Sequence, residues 1–494
     1  MSDQTTFIIG VDIGTGSAKT IGLGLNGSVI AGCQTAYETT HPAPGFSEQD
    51  PAILLAAVKN GIREVVAKAG QPPAAISFSC AMHSLIAMDA AGQPLTPAII
   101  WADNRSDVIA TTLRNTQQGK DIYHHTGTPV HAMSPLCKIR WLKQHLPEVF
   151  ARAVMFAGIK EYILHHFFCR YVTDHSMASA TGMFDIARKE WYPGALAFAG
   201  ISTAHLPIPV PVTFVLTDLK PAIAAELGIP PETPFIVGGS DGCLAQLGSQ
   251  ALNPGHATLT IGTSGAMRMA GSQPLIDAEG RLFTYLLTDD VYITGGASNN
   301  GGVVLQWLVR DFLQQPLANL PSLVDAALQT DAGRLLCMPY LLGERAPVWN
   351  SQATAAFIGI QAGHTAAHFV RATLEGICFA LLSIRKAMEE TCGPVNEISV
   401  SGGFTSSRGW VQLLADIFGQ PMHLRRQSDA SVLGAIMLAA KALNLPLTVE
   451  ADKEEGTIFQ PDLSKKDGYE KKFQQFISLY KLLDQYDAGF RTQG

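Results

Sequence analysis

The chain has 494 residues, 47% of them hydrophobic and 16% charged, and a formal net charge of −7. That length is too great for one ordinary core and fits two large domains, and the composition excludes a long disordered region. The negative balance argues against a broad nucleic-acid or anionic-membrane surface, yet a small anion can still be held by backbone N–H groups.

Residues 1–6 are polar and carry no signal-peptide pattern. Apolar runs stay short of the roughly 18 residues of a membrane span, so the expected setting is the cytoplasm. Residues 7–11, 20–25 and 28–35 read as an antiparallel meander. Asn26-Gly27 is its hairpin turn, because both residues tolerate positive φ. A helix is predicted over 51–69, with Pro51 at its start and Leu54, Val58 and Ile62 on one face. A strand over 75–78 runs into Cys80-Ala81-Met82-His83-Ser84. Helices follow near 105–118, 136–145, 160–167 and 219–227. A strand over 235–237 ends in Gly238-Gly239-Ser240-Asp241-Gly242. The domain boundary is placed before Asn253-Pro254-Gly255, giving domains 1–252 and 253–494.

The second domain repeats the programme. Strands are predicted over 257–261, 266–269, 285–287 and 397–400. Helices cover 302–312, 365–389 and 407–418, and a last buried helix covers 431–442, where Gly434 and Ala435 permit close packing. Three antiparallel strands, a helix and another strand do not open a doubly wound dinucleotide fold. The order resembles the ribonuclease-H-like core of actin and hexokinase. It implies an α/β protein with two such domains flanking a central catalytic cleft.

Two glycine-rich turns echo each other. Asp12-Ile13-Gly14-Thr15-Gly16-Ser17-Ala18-Lys19 follows the first strand, and Thr260-Ile261-Gly262-Thr263-Ser264-Gly265-Ala266 opens the second domain. The first is not a P-loop, since Ala18 stands where a glycine must precede the lysine. Its glycines let backbone approach a phosphate, Thr15 and Ser17 add hydroxyl donors, and Asp12 can anchor hydrated Mg2+. Thr260 stands where Asp12 stands, so only one turn carries an acid. Asp241, a carboxylate among glycines at a strand end, suits a general base for an alcohol; a capping role is the alternative.

Trp101 offers an apolar wall, and His83, Asp103 and Asn104 can hydrogen-bond several hydroxyls, which favours a sugar or polyol pocket. Arg105 either partners Asp103 or attracts an acidic substrate. Gly402-Gly403-Phe404-Thr405-Ser406-Ser407 lies between a strand and a helix, where Gly403 and Ser407 suit adenosine contacts or a plain helix cap. His364 and His368 have helical spacing but no third ligand, so no zinc site is expected. The eight cysteines form no CxxC pair and read as buried free thiols.

Met133-Ser134-Pro135-Leu136-Cys137-Lys138-Ile139-Arg140-Trp141-Leu142 resembles one signature of the FGGY carbohydrate kinases. Gly359-Ile360, His368-Phe369 and Ala372-Thr373-Leu374-Glu375 resemble the other. The likeness spans nearly the whole chain and implies transfer of the γ-phosphate of ATP to a sugar or polyol hydroxyl, with ATP and Mg2+ as cofactors. It implies Asp241 as the catalytic residue and Met82, His83 and Asp103 as substrate contacts. It places phosphate contacts on Gly14, Thr15, Gly16, Gly262 and Thr263, beside which Ser17 and Lys19 complete the candidate set. Gly403 and Ser407 fall at the adenosine, Ser407 standing where some members have asparagine.

Within the family, Cys80 to Ser84, Trp101-Ala102-Asp103-Asn104-Arg105-Ser106, Gly127-Thr128-Pro129-Val130-His131 and Gly343-Glu344-Arg345-Ala346-Pro347 look most like gluconokinases. The substrate this implies is D-gluconate. An acid substrate wants cations or amide donors near its carboxylate, and Arg105, His131, Asn299 and Arg345 are the candidates. Xylulokinase or another kinase of the same fold is the nearest alternative, and a non-catalytic nucleotide-gated interaction module is the alternative of another class. The resemblance allows a homodimer and implies no nucleic-acid or membrane partner.

Overall fold

The computed structural model of the protein describes residues 6–425, 429–449 and 456–491. Its first sheet has six strands in the order Val215–Leu216, Phe235–Ser240, Ala75–Cys80, Phe7–Ile13, Ser17–Gly24, Val29–Ala36. The three middle strands that carry chemistry at their ends, Phe7–Ile13, Ala75–Cys80 and Phe235–Ser240, run parallel. The meander is antiparallel, as predicted. Helix Pro51–Ala69 packs on this sheet. It starts where the Asp50 carboxylate accepts from the Ala52 N–H at 2.8 Å, and ends at Gly70 in a left-handed conformation.

The second sheet repeats this order with one strand added. It runs Phe283–Thr288, Val291–Ser298, Gly265–Gly271, His256–Ile261, Glu397–Ser401, Met422–Leu424, Ile458–Phe459. His256–Ile261 pairs antiparallel with Gly265–Gly271 and parallel with Glu397–Ser401, as Phe7–Ile13 does with Ser17–Gly24 and Ala75–Cys80. Each sheet ends in a short antiparallel strand, Val215–Leu216 or Ile458–Phe459. Helix Ala366–Cys392 is long and apolar enough to cross a membrane, but most of its apolar stretch is buried inside the protein as a core helix.

Several elements depart from the sequence expectation for local reasons. The helix near 105–118 is two helices, Asp107–Arg114 and Gln117–Thr126, because the Thr116 hydroxyl caps the second by accepting from the Gly119 N–H at 3.1 Å. The helix over 302–312 starts as Gly302–Trp307 and widens into a π-helical turn, Leu308–Phe312. Strand Val291–Ser298 carries two glycines that dilute its β signal. Helix Lys466–Arg491 is polar on average, yet Tyr469, Phe473 and Phe476 are buried at helical spacing.

The helix predicted over 431–442 is Ala430–Ala442, and it belongs to both halves. Val432 and Ile436 share a buried cluster with Ile8, Ala75 and Ile236 of the first sheet. It also packs on helix Asp241–Gly248, so closely that a Cβ on Gly434 would lie 2.1 Å from the Leu244 carbonyl oxygen. All eight cysteines are unpaired. Cys169 is exposed and Cys33 and Cys392 are half-buried, so the expectation of buried thiols holds only for the other five.

Candidate active site

The two glycine turns sit at equivalent ends of the two sheets. The first is braced from below by three side chains. Tyr37 Oη donates to the Gly14 carbonyl at 2.6 Å, Gln49 Nε2 to the Thr15 carbonyl at 2.5 Å, and Trp101 Nε1 to Thr15 Oγ1 at 2.8 Å. Thr15 Oγ1 thereby keeps its proton for a ligand, while Ser17 Oγ accepts from Gln34 at 2.8 Å. The second turn is clasped by the start of helix Gly302–Trp307. Gly301 N–H donates to the Thr263 carbonyl at 3.1 Å and Gly302 N–H to the Gly262 carbonyl at 2.8 Å. Nothing lies within 4 Å of where a Cβ on Gly262, Gly403 or Gly16 would project, so backbone there is open to a ligand.

Between the turns lies a cavity of about 210 Å³. Thr15, Met82, His83, Trp101, Asp241 and Arg345 line it, together with Arg268, Tyr285 and Trp349. Asp241 is delivered by a bend in strand Phe235–Ser240. Gly238 sits at φ 73° in a bulge, and a Cβ there would fall 1.8 Å from the Phe78 carbonyl oxygen. Asp241 then opens helix Asp241–Gly248, with one carboxylate oxygen accepting from the Gly242 N–H at 2.7 Å. Ser240 occupies the cap position, so Asp241 is not the capping residue of the alternative expectation.

Domain models of the FGGY family of carbohydrate kinases match residues 7–248 (N-terminal domain) and 257–443 (C-terminal domain). The chain belongs to this family. It is 39% identical over 451 residues to a gluconokinase from Bacillus subtilis, covering 89% of this chain and 88% of that one. It is 30% identical over 496 residues to a xylulose kinase from Staphylococcus epidermidis, covering 98% of each. Crystal structures of a gluconate kinase and of a ligand-bound xylulose kinase, both from Lactobacillus acidophilus, superpose with the same TM-score of 0.92. Both are 33% identical and cover 98% of this chain and 100% of theirs. This FGGY protein is therefore an ATP-dependent sugar kinase with the actin/hexokinase-like fold.

Electrostatics in the kinase's cavity follow from burial. Asp241 has its pKa pushed up to about 6, first by desolvation and then by the charge of Asp12, with Arg268 and Arg345 opposing. Asp12 is also raised by burial, although Ser79 Oγ donates to it at 2.6 Å. His83 is 7% exposed and held at φ 70°, with its pKa lowered to about 3, chiefly by desolvation. Its Nδ1–H donates to the Ala180 carbonyl at 2.8 Å, so the neutral ring's other nitrogen is an acceptor. The Arg345 guanidinium lies 4.8 Å over the Trp101 ring, and burial lowers it to about 10.

Several expected site residues do not reach the cavity. Asp103 is fully buried, and its carboxylate accepts from the Ser47 N–H and from Arg105 Nε and Nη2, at 2.7 to 2.9 Å. Arg105 is spent on this pair, on Glu48 at 2.5 Å and on the Phe46 ring, so the partner reading of Arg105 holds over the substrate reading. Asn104 holds Gly45 through its backbone N–H at 2.7 Å. Asn299 donates to the Leu342 carbonyl at 3.0 Å and so braces the loop carrying Arg345. Lys19 turns away from the turn to pair with Asp429. Ser407 Oγ accepts from the Trp410 N–H at 3.3 Å, the plain helix cap. His131 lies behind the wall, edge-on to Trp349 at 5.6 Å. His368 is used in the cap at Thr365.

Sequence reasoning passed over Arg268, Tyr285, Trp349 and the role of Lys138. Lys138 is fully buried and donates to the carbonyls of His83, Ile99 and Ile100 at 2.6, 3.1 and 2.8 Å, which ties the His83 loop to the Trp101 loop. The signal for Arg268 was present: it is the lone charge in the otherwise apolar strand Gly265–Gly271. A larger groove of about 620 Å³ lies against helix Lys466–Arg491 and includes no residue of either turn. Its cations are already neutralised, Arg371 and Lys472 by Glu375 and Lys465 by Asp416.

Mg2+ fits the acid side of the site. Asp12 and Asp241 are half-buried carboxylates close enough to interact, and Lys19 is committed to Asp429. Among the described residues no three His, Cys, Asp or Glu gather into an all-protein metal cage. Such a donor set suits a hard cation that keeps its waters and shares a nucleotide's phosphates.

Proposed function

We propose that this kinase phosphorylates D-gluconate, passing the γ-phosphoryl group of ATP to the terminal hydroxyl and releasing 6-phosphogluconate and ADP. The observation that carries this reading is Arg345, a half-buried guanidinium that forms no ion pair among the described residues, on the wall that also holds Asp241. The adjacent Glu344 charge favours the cation but makes no ion pair with it. That carboxylate is taken up by Ser298 Oγ, Asn300 Nδ2 and the backbone N–H groups of Asn299 and Arg345. A half-buried cation left in this way favours an anionic substrate over a neutral sugar. The gluconokinase relatives support the same choice.

In this reading residues 1–252 hold the carbon chain of the sugar, and residues 253–494 hold the nucleotide and supply Arg345 to the sugar's carboxylate, in a cytoplasmic setting. Asp241 accepts the proton of the terminal hydroxyl as the O–P bond forms, a late transfer for which a modest base is enough. His83 accepts a hydrogen bond from a sugar hydroxyl, and Met82 and Trp101 pack on the carbon chain. Thr15 and the backbone of Gly14, Gly16, Gly262 and Thr263 hold phosphate oxygens, and Gly403 leaves room for adenosine. Mg2+, near Asp12, would neutralise charge on the phosphates. The test is ADP release with D-gluconate, D-xylulose, D-ribulose and glycerol. Gluconate is expected to give the highest kcat/KM, and a preference for D-xylulose would replace this reading with xylulokinase.

A further inference from the structure

Arg268 is a second cation on the cavity wall, and it has less to do than Arg345. Among the described residues no hydrogen bond or ion pair joins its guanidinium to another group, and its Nε is buried without a partner. Among the described residues the Arg345 guanidinium makes one long bond, from Nη2 to the Ser298 carbonyl at 3.3 Å, and its Nε is likewise buried and unpartnered. Buried guanidinium N–H groups left unpaired cost free energy unless a ligand supplies an acceptor.

The backbone explains how Arg268 reaches the cavity. Strand Gly265–Gly271 leaves the second phosphate turn, and alternate residues face the same side, so Ala266 and Arg268 both line the wall. Four residues of extended chain separate Ser264 from Arg268, about 13 Å at about 3.3 Å per residue. The side chain therefore reaches the wall from the strand and not from the turn itself. Its guanidinium crosses Gly242, where a Cβ would stand 3.0 Å from Nε. Two further polar atoms are orphaned in this region, Tyr285 Oη and His131 Nε2.

Two guanidiniums close enough to repel share this wall with one carboxylate, Asp241. Asp241 must stay available to the reacting hydroxyl, so it cannot serve as their fixed counter-ion. From this arrangement we infer that Arg268 and Arg345 together form an anion subsite for the carboxylate of an aldonate substrate, and that Arg268 sets the preference for that acid over neutral sugars and polyols. This rests on the gluconate reading above. A planar carboxylate meets the fork of a guanidinium through paired charge-assisted bonds, which an ammonium cannot reproduce.

Arg268→Met and Arg268→Lys, with the wild-type enzyme, test the inference against D-gluconate and D-glucitol, the same carbon chain with a neutral end. Calorimetry measures gluconate binding without nucleotide, and coupled ADP release measures turnover. Arg268→Met is expected to weaken gluconate binding and raise its KM by about 10- to 100-fold, with a much smaller loss in kcat. Arg268→Lys is expected to fall between. The ratio of gluconate to glucitol affinity should collapse in Arg268→Met. Wild-type gluconate affinity in both variants would overturn the subsite. So would an equal fall in kcat on every accepted substrate at constant KM, which would make Arg268 a positioning residue for Asp241. Retained ADP binding checks that a variant is folded, and Arg268→Lys carries the test if Arg268→Met is not. A wild-type enzyme that neither binds nor turns over gluconate defeats the parent reading instead, whatever the variants do.

Discussion

The two phosphate turns share a backbone and differ in charge. In the first, Asp12 faces Ser79 across parallel strands and Lys19 across the hairpin; in the second, Thr260 faces Ser401 and Ala266 at the same places. The polar pair survives in both, Ser79 donating to Asp12 at 2.6 Å and Thr260 meeting Ser401 at 3.0 Å. The carboxylate and its lysine occur only in the first. That turn also borders helix Ala430–Ala442 of the other half, through Lys19 with Asp429 and Asp12 with Ser431. Repetition of the fold supplies two equivalent glycine turns. Substitution at one position leaves a carboxylate in only one turn, the one near Asp241.

The largest expected effect lies outside both turns. Asp241→Asn should lower kcat by about 10²- to 10⁴-fold, the range of general-base loss, while ATP still binds. Near-normal turnover would remove the base from Asp241. The same variant should be more stable than wild type. Burial raises the folded-state pKa of Asp241 from 3.8 to about 6, so the ionised form is disfavoured in the fold. That penalty is absent below the unfolded value, grows as pH rises, and is complete above about pH 6. Melting at neutral pH should therefore show a gain of about 1–3 kcal/mol that shrinks on acidification.

Within the turns, Asp12→Asn should cut kcat by about 10²-fold and raise the Mg2+ needed for half-maximal rate, whereas Thr260→Val should cost only a few-fold and leave the Mg2+ titration in place. Equal losses in the two would erase the asymmetry. The pH profile offers a smaller readout. kcat/KM should rise through about pH 6 as Asp241 ionises, and Arg345→Met should move that limb to higher pH, because Arg345 holds the Asp241 pKa down. An unmoved limb would separate Arg345 from Asp241. The smallest effect is expected for Lys19→Met. Its pair with Asp429 is about a third exposed on each side, so stability should drop by less than about 1 kcal/mol and kcat by less than about threefold.

The repeated strand order, both turns and Asp241 were legible in the sequence because each is local: a glycine turn must follow a strand, and its special residues are contiguous. Thr15 could be named for the same reason, and Met82 and His83 followed from the family resemblance; all three line the cavity. Asp103, Asn104 and Arg105 could not be sorted that way. Whether a polar group faces a cavity or a neighbour depends on residues distant in the chain, here Ser47, Glu48 and Phe46. Arg268 was visible as a charge in an apolar strand but had no local motif to give it a role. Helix Ala430–Ala442 read as part of the second half, and only packing showed that it seals the first sheet as well. Sequence periodicity and turn chemistry thus determined the elements and the two glycine turns. The tertiary structure decided which cations remain unpaired, because ion pairing is settled by three-dimensional proximity and not by spacing along the chain.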